Sequence, residues 1–287
     1  MKNLLIYYFL KTLSLLLFFV PRKILIFKGK IIGSLLFNFF PVGYKILNVN
    51  LSIAFPKLSK SEKSKLIRKI YKHYSIVLLE FFKQKSLHIN NTLYYFDKKT
   101  ESILEGNDNF ILMTAHMGNW ELFLPIINSF RKITAIVKEQ KNKGADNFIV
   151  YNRSYDKVTL VSNKESIKKM YQPLINNDIL LIVNDQNPKS SGSKVDFFNV
   201  PVLFPKGAGH FYNKAKCKVI IGFCLLRSDY RYELKLREIN LDKNLNDKHQ
   251  IIDNLNFEYS KLLEQEILLN PEQYCWFYKK WDKKIYK

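Results

Sequence analysis

The chain has 287 residues, 47% of them hydrophobic and 15% aromatic, which excludes a disordered protein and allows a sizeable core. A formal charge of +21 implies attraction to something anionic, either nucleic acid or an anionic membrane surface. Part of that charge is compositional, because lysines far outnumber the seven arginines and are abundant together with Asn and Ile.

Residues 4–20 are almost wholly apolar, interrupted by Lys11 and followed by Pro21-Arg22-Lys23, and a second apolar stretch covers 24–44. No small-residue cleavage site follows the first stretch, so it does not read as a signal peptide. At about 20 apolar residues per span it is marginal for crossing a bilayer, and an interfacial helix with Lys11 reaching the headgroups is the alternative. Residues 1–45 are therefore expected to be membrane-anchoring or interfacial helices, with 46–287 as the main domain. Ser59-Lys60-Ser61-Glu62 forms a capping box, and the apolar positions from Leu66 to Phe82 recur at three- and four-residue intervals. A long amphipathic helix is predicted there, ending before Asn90-Asn91. Short apolar strands follow at 110–114, 133–137, 158–162, 179–183 and 219–226, with helical pieces at 164–174 and 207–216. Residues 232–239 alternate as an edge or half-exposed strand does, and 249–269 predict a further amphipathic helix. The chain closes on an aromatic, basic tail from Tyr274 to Trp281. The pattern predicts an α/β fold: a single domain with a mixed, mostly parallel central sheet flanked by helices, preceded by N-terminal membrane-associated helices.

The stretch Thr114-Ala115-His116-Met117-Gly118-Asn119-Trp120-Glu121 carries the chemistry. A histidine oriented by a carboxylate can take a proton from a hydroxyl. On one regular helix His116 and Glu121 would diverge by ~140°. The pair can meet only if His116 precedes a helix and Glu121 lies in its first turn, with Gly118 allowing the bend and Asn119 as N-cap. Otherwise His116 is a core histidine and Glu121 a dipole-matched surface residue. The spacing is not that of a zinc protease, and no His, Cys and acidic cluster suggests a metal. The three cysteines (Cys217, Cys224, Cys275) read as reduced thiols. A serine elbow, a P-loop and a full dinucleotide-binding glycine motif are all missing. Asn184-Asp185-Gln186 follows a buried strand and is either an ordinary turn or a polar site segment.

These segments together resemble the late acyltransferase family of lipid A biosynthesis, within the lysophospholipid acyltransferase-like superfamily. The resemblance spans nearly the whole chain. It rests on Asn50-Leu51-Ser52-Ile53-Ala54-Phe55-Pro56, Glu80 late in the long helix and Ala115 to Glu121. It rests also on Asp185-Gln186, Val195 to Pro201, and Pro271-Glu272-Gln273-Tyr274-Cys275-Trp276. It implies transfer of a fatty acyl group from a thioester, on acyl carrier protein or coenzyme A, to a hydroxyl of a glycolipid. No other cofactor and no nucleic acid is implied. The setting implied is the inner membrane, with the catalytic domain on its cytoplasmic face. His116 would be the general base, with Glu121 orienting its imidazole. Arg153 would serve the oxyanion or a phosphate, and Asp185 would fix Arg153 or a neighbouring loop. Gln186 and Asn119 join the implied substrate-binding set. The chain departs from the family pattern at Ile136-Val137-Lys138-Glu139-Gln140, where a tyrosine–arginine pair is common, and at Asn199, where glycine is usual. A lysophospholipid, an aminolipid or another glycolipid would be acylated by the same chemistry. A non-catalytic basic protein binding membrane or nucleic acid is the alternative of another class.

Overall fold

In the computed structural model, which describes residues 2–188 and 190–287, three helices open the chain: α1 (Lys2–Phe18), α2 (Arg22–Phe39) and α3 (Tyr44–Ala54). Pro21 sits at the entry to α2, and Gly43, in the left-handed region at φ 76°, turns the chain into α3. The expected capping box starts α4 (Lys60–Lys83), with Ser59 accepting from the Glu62 N–H and the Glu62 carboxylate accepting from the Ser59 N–H at 2.9 Å. The apolar stripe of α4, including Ile67, Ile70, Tyr71 and Val77, is buried.

Strands and helices then alternate: β1 (Tyr94–Tyr95), α5 (Lys98–Glu105), β2 (Phe110–Gly118), α6 (Phe123–Asn128), β3 (Ile133–Val137), α7 (Lys143–Arg153) and β4 (Val158–Ser162). After α8 (Ile167–Ile175) and β5 (Ile179–Val183) comes a hairpin, β6 (Gly192–Phe197) and β7 (Val200–Pro205). The chain continues through α9 (Gly207–Ala215), β8 (Lys218–Leu226), β9 (Tyr232–Glu238) and α10 (Lys248–Leu269). The main sheet has the order β1-β9-β8-β2-β5-β3-β4, and every pairing is parallel except β8 with β9. The fold is thus the expected single α/β domain with a mixed, mostly parallel sheet.

Central strands β2 and β5 are buried on both faces, which is why they read as continuous apolar runs. The period of two splits them. Ile111 and Met113 pack with the residues of α4 and α10, while Phe110 and Leu112 pack with α6. Each such buried side chain contributes roughly 1.5–3 kcal/mol. Strand β9 alternates because one face, Tyr232, Leu234 and Leu236, packs into the core while the other, Glu233, Lys235 and Arg237, is half-buried or exposed.

Helix α1 buries none of its side chains fully, yet its backbone comes close to α7: a Cβ at Gly144 would lie 2.0 Å from the Asn3 carbonyl. The Lys83 ammonium donates to the carbonyls of Leu17 (3.3 Å) and Phe18 (2.5 Å), closing the end of α1. Helix α2 packs on α4 through Gly29 and Gly33, where a Cβ at Gly33 would meet Lys72 Cα at 2.4 Å. Leu5, Phe9 and Leu16 of α1 and Phe27 and Phe39 of α2 are exposed, as is Phe19 between the helices. Among the described residues no single helix is long and apolar enough to cross a membrane. The α2–α3 pair, bent by 97°, meets that test only as a broken span.

Candidate active site

The carboxyl ends of the adjacent parallel strands β2 and β5 bring His116 and Asp185 together, as open α/β sheets do with polar site residues. Near its end β2 carries an irregularity. Thr114 pairs with Gly222 and Gly118 with Cys224, so four steps on one strand face two on the other. His116 lies inside this bulge and is the one residue of β2 that is not fully buried. A bulge of this kind re-aims a side chain out of the ladder.

Two groups hold the bulge. Gly118 takes φ 63°, and a Cβ there would stand 2.0 Å from the Cys224 carbonyl oxygen, which instead accepts from the Asn119 N–H at 2.8 Å. The buried His73 of α4 lies with Nε2 3.3 Å from the Gly118 carbonyl. Burial lowers its pKa to about 4, so it is neutral and its Nε2–H donates to that carbonyl. Gly118→Ala is expected to destabilise the fold by about 3 kcal/mol, from left-handed strain together with the steric overlap. Denaturant unfolding measures this; a loss under about 1 kcal/mol would mean that the bulge relaxes freely.

His116 Nδ1 lies 2.8 Å from Asp185 Oδ1. An ionised carboxylate only accepts, so Nδ1 carries the proton and Nε2 keeps its lone pair. Gln186, the next residue after Asp185, places its amide nitrogen 3.4 Å from that Nε2. The Asp185 carboxyl is wholly buried, and Tyr278 donates to its other oxygen at 2.7 Å. Tyr274 and Tyr278 pair through their hydroxyls, and the buried Lys280 ammonium donates to the Asp185 carbonyl. Burial would push the Asp185 carboxyl up, but His116, Lys280 and Tyr278 together hold it down to about 2. Burial alone would pull His116 down; Asp185 outweighs it, and the imidazole titrates above its ordinary value. Lys280, desolvated between the Phe197 and Phe204 rings, is lowered to about 7.

The backbone of this corner is tied from three directions. The His116 carbonyl accepts from the Cys275 N–H at 2.8 Å and lies 3.0 Å from the Tyr74 hydroxyl. Asn50 of α3 donates to the carbonyls of Trp276 (2.8 Å) and Tyr278 (2.9 Å), fixing the tail that carries Tyr278 and Lys280. The Cys275 thiol beside His116 is pushed up to about 12 by burial, so it is protonated at neutral pH.

The expected partnership of His116 with Glu121 is corrected here. Glu121 sits in a single 3-10 turn, Trp120–Leu122, and its carboxylate grips Arg153 at the end of α7 (Nε–Oε2 2.8 Å, Nη2–Oε1 2.5 Å). Trp120 separates the two pairs: its ring meets the His116 ring edge-on with centroids 5.0 Å apart, and its indole N–H donates to Glu121 at 3.1 Å. Asp185 therefore pairs with His116; of the two roles expected for it, fixing Arg153 or a neighbouring loop, the first is replaced, because Arg153 is held by Glu121. The reason is topological, because the nearest carboxylate to a strand end comes from the neighbouring strand. Asn119 precedes the 3-10 turn but caps nothing with its side chain, which is buried and donates to Glu80 (3.1 Å) and to the Tyr232 hydroxyl (3.3 Å). Glu80 also takes Arg22 of α2 at 2.7 Å, so this network anchors the N-terminal helices behind the bulge.

The arrangement offers a carboxylate-held imidazole whose Nε2 lone pair faces only the Gln186 amide, at 3.4 Å, and a guanidinium–carboxylate pair across one indole ring. Among the described residues no group of three His, Cys, Asp or Glu side chains could hold a metal ion. A family model described as bacterial lipid A biosynthesis acyltransferase matches residues 2–283. No curated protein matches the chain.

Proposed function

The chain belongs to the bacterial lipid A biosynthesis acyltransferase family, and from that membership we propose that it transfers a fatty acyl group from a thioester to a hydroxyl of a lipid A precursor, with His116 as general base. The observation that carries the mechanism is the 2.8 Å contact of His116 Nδ1 with the buried Asp185 carboxylate. It leaves Nε2 as the acceptor of the hydroxyl proton while the oxygen attacks the thioester carbonyl. The tetrahedral intermediate expels the thiolate, which recovers the proton from the imidazolium as the ester forms. No covalent acyl-enzyme is needed. Asp185 stabilises the imidazolium, as the acid of a serine-hydrolase triad does. On this reading the Gln186 amide, 3.4 Å from His116 Nε2, gives up that contact to the incoming hydroxyl and donates to the developing oxyanion. Glu121 acts through Arg153, fixing its guanidinium near the site.

The donor, on this reading, is acyl carrier protein or acyl-coenzyme A. The bare apolar faces of α1 and α2 support attachment to a membrane, which on this reading is the cytoplasmic face of the inner membrane, where a lipid acceptor would be met. Mass spectrometry of total lipids from cells with and without the protein tests the acceptor. The expected result is a lipid A species lighter by one acyl chain when the protein is missing. An unchanged lipid A with a change in another glycolipid, an aminolipid or a lysophospholipid would replace the acceptor but keep the reaction.

A further inference from the structure

A cleft of about 1030 Å³ opens at Gln186 and Tyr278, which contact His116 and Asp185 respectively. Five lysines line it: Lys194 of β6, and Lys279, Lys283, Lys284 and Lys287 from the C-terminal segment. All five are exposed, and among the described residues none forms a salt bridge. The one acid in the lining, Asp282, accepts from the Lys284 N–H at 2.8 Å. Val200, Val202, Leu203 and Ile285 add apolar surface to the lining.

Unpaired ammonium groups are point charges that suit a compact, multiply charged anion; the planar arginine fork that favours carboxylates is missing from this lining. The guanidinium nearest the pair, Arg153, is already occupied on two of its nitrogens by Glu121. We infer that this lysine cleft binds a phosphate group of a reactant and feeds the attached chain past Gln186 to His116. The identity of that reactant rests on the acyl-transfer reading. Two sources share the chemistry: the phosphopantetheine arm of the donor and a phosphorylated sugar of the acceptor.

Equilibrium binding to the full chain, followed by calorimetry or ligand-observed NMR, tests the inference with two matched probe pairs. These are phosphopantetheine against pantetheine, and glucosamine 1-phosphate against glucosamine. The expected result is that in one pair the phosphorylated member binds at least about tenfold tighter, and that added salt erodes the preference. The pair that shows it identifies the source. In the triple variant Lys279→Ala, Lys283→Ala, Lys284→Ala, all at exposed positions, the preference should vanish with the melting temperature unchanged. No phosphate preference in either pair, or the same preference in the triple variant, overturns the inference. Because the readout is binding, His116→Ala should keep the preference, so this test and the test of the base mechanism fail separately.

Discussion

Replacing His116 with alanine is expected to lower acyl transfer by about 10³–10⁴-fold, the upper part of what a general base contributes, while the fold persists. The side chain is partly exposed at the mouth of the bulge and its backbone carbonyl keeps both of its contacts, from Cys275 N–H and Tyr74. Removing the ring therefore takes away the base and one edge contact with Trp120, and leaves the β2 ladder in place. General-base assistance is worth roughly 10²–10⁴-fold, and among the described residues no other histidine lines the cleft at Gln186 to replace it. Steady-state kinetics with a circular dichroism check of the fold measures this. Turnover equal to wild type in a folded variant would remove His116 from the mechanism.

Asp185→Asn should be nearly as damaging, with kcat lowered about 10³–10⁴-fold, the size of the same change in a serine-protease triad. Tyr278 donates to one oxygen of Asp185, so in the variant the amide oxygen takes that contact and the NH₂ faces His116. An N–H facing Nδ1 forces the ring proton onto Nε2, which removes the lone pair that should accept from the substrate. The anion that raises the His116 pKa is lost as well, so any residual activity should appear at lower pH than in the wild type. Glu121→Gln is the matched control, because its carboxylate holds Arg153 and not the imidazole. It should cost roughly 2 kcal/mol of stability by loosening a largely buried pair, and move the pH dependence less than Asp185→Asn does. Equal pH shifts in the two variants would contradict the partnership found here.

Much of this architecture was legible in the sequence, because local rules governed it. The Ser59–Glu62 capping box, the stripe of α4 and the apolar runs of β3, β4 and β5 each depend on residues close in the chain. The β6–β7 hairpin was not legible. Its two-residue turn places Phe198 and Asn199 at φ 52° and 59°; asparagine tolerates that region, but a bulky aromatic rarely adopts it. Phe198 is held there by its packing against Phe55 and Trp276, and its N–H donates to Glu264 at 2.6 Å. Those contacts span the chain.

The site divides the same way. Gly118 was identified as the bend because its requirement is local. Which carboxylate faces His116 was not, since Asp185 is 69 positions away and arrives by strand order. Tyr278 and Lys280 lay unassigned within the aromatic tail, though a tyrosine and a lysine inside an apolar, aromatic run are a signal that something buried and polar must meet them. His73 gave no signal at all, since it occupies an ordinary position on an amphipathic helix.

Asp185 holds His116 with its proton on Nδ1 and its lone pair on Nε2. Nitrogen-15 NMR of the histidine rings, with His116 assigned by its absence from His116→Ala, reads this directly. At neutral to mildly basic pH, Nδ1 should give a protonated-type shift and Nε2 an unprotonated one, with a titration midpoint above the ordinary histidine value and a downward move in Asp185→Asn. A neutral ring with its proton on Nε2, or a midpoint below the ordinary value that Asp185→Asn leaves unchanged, would contradict the account.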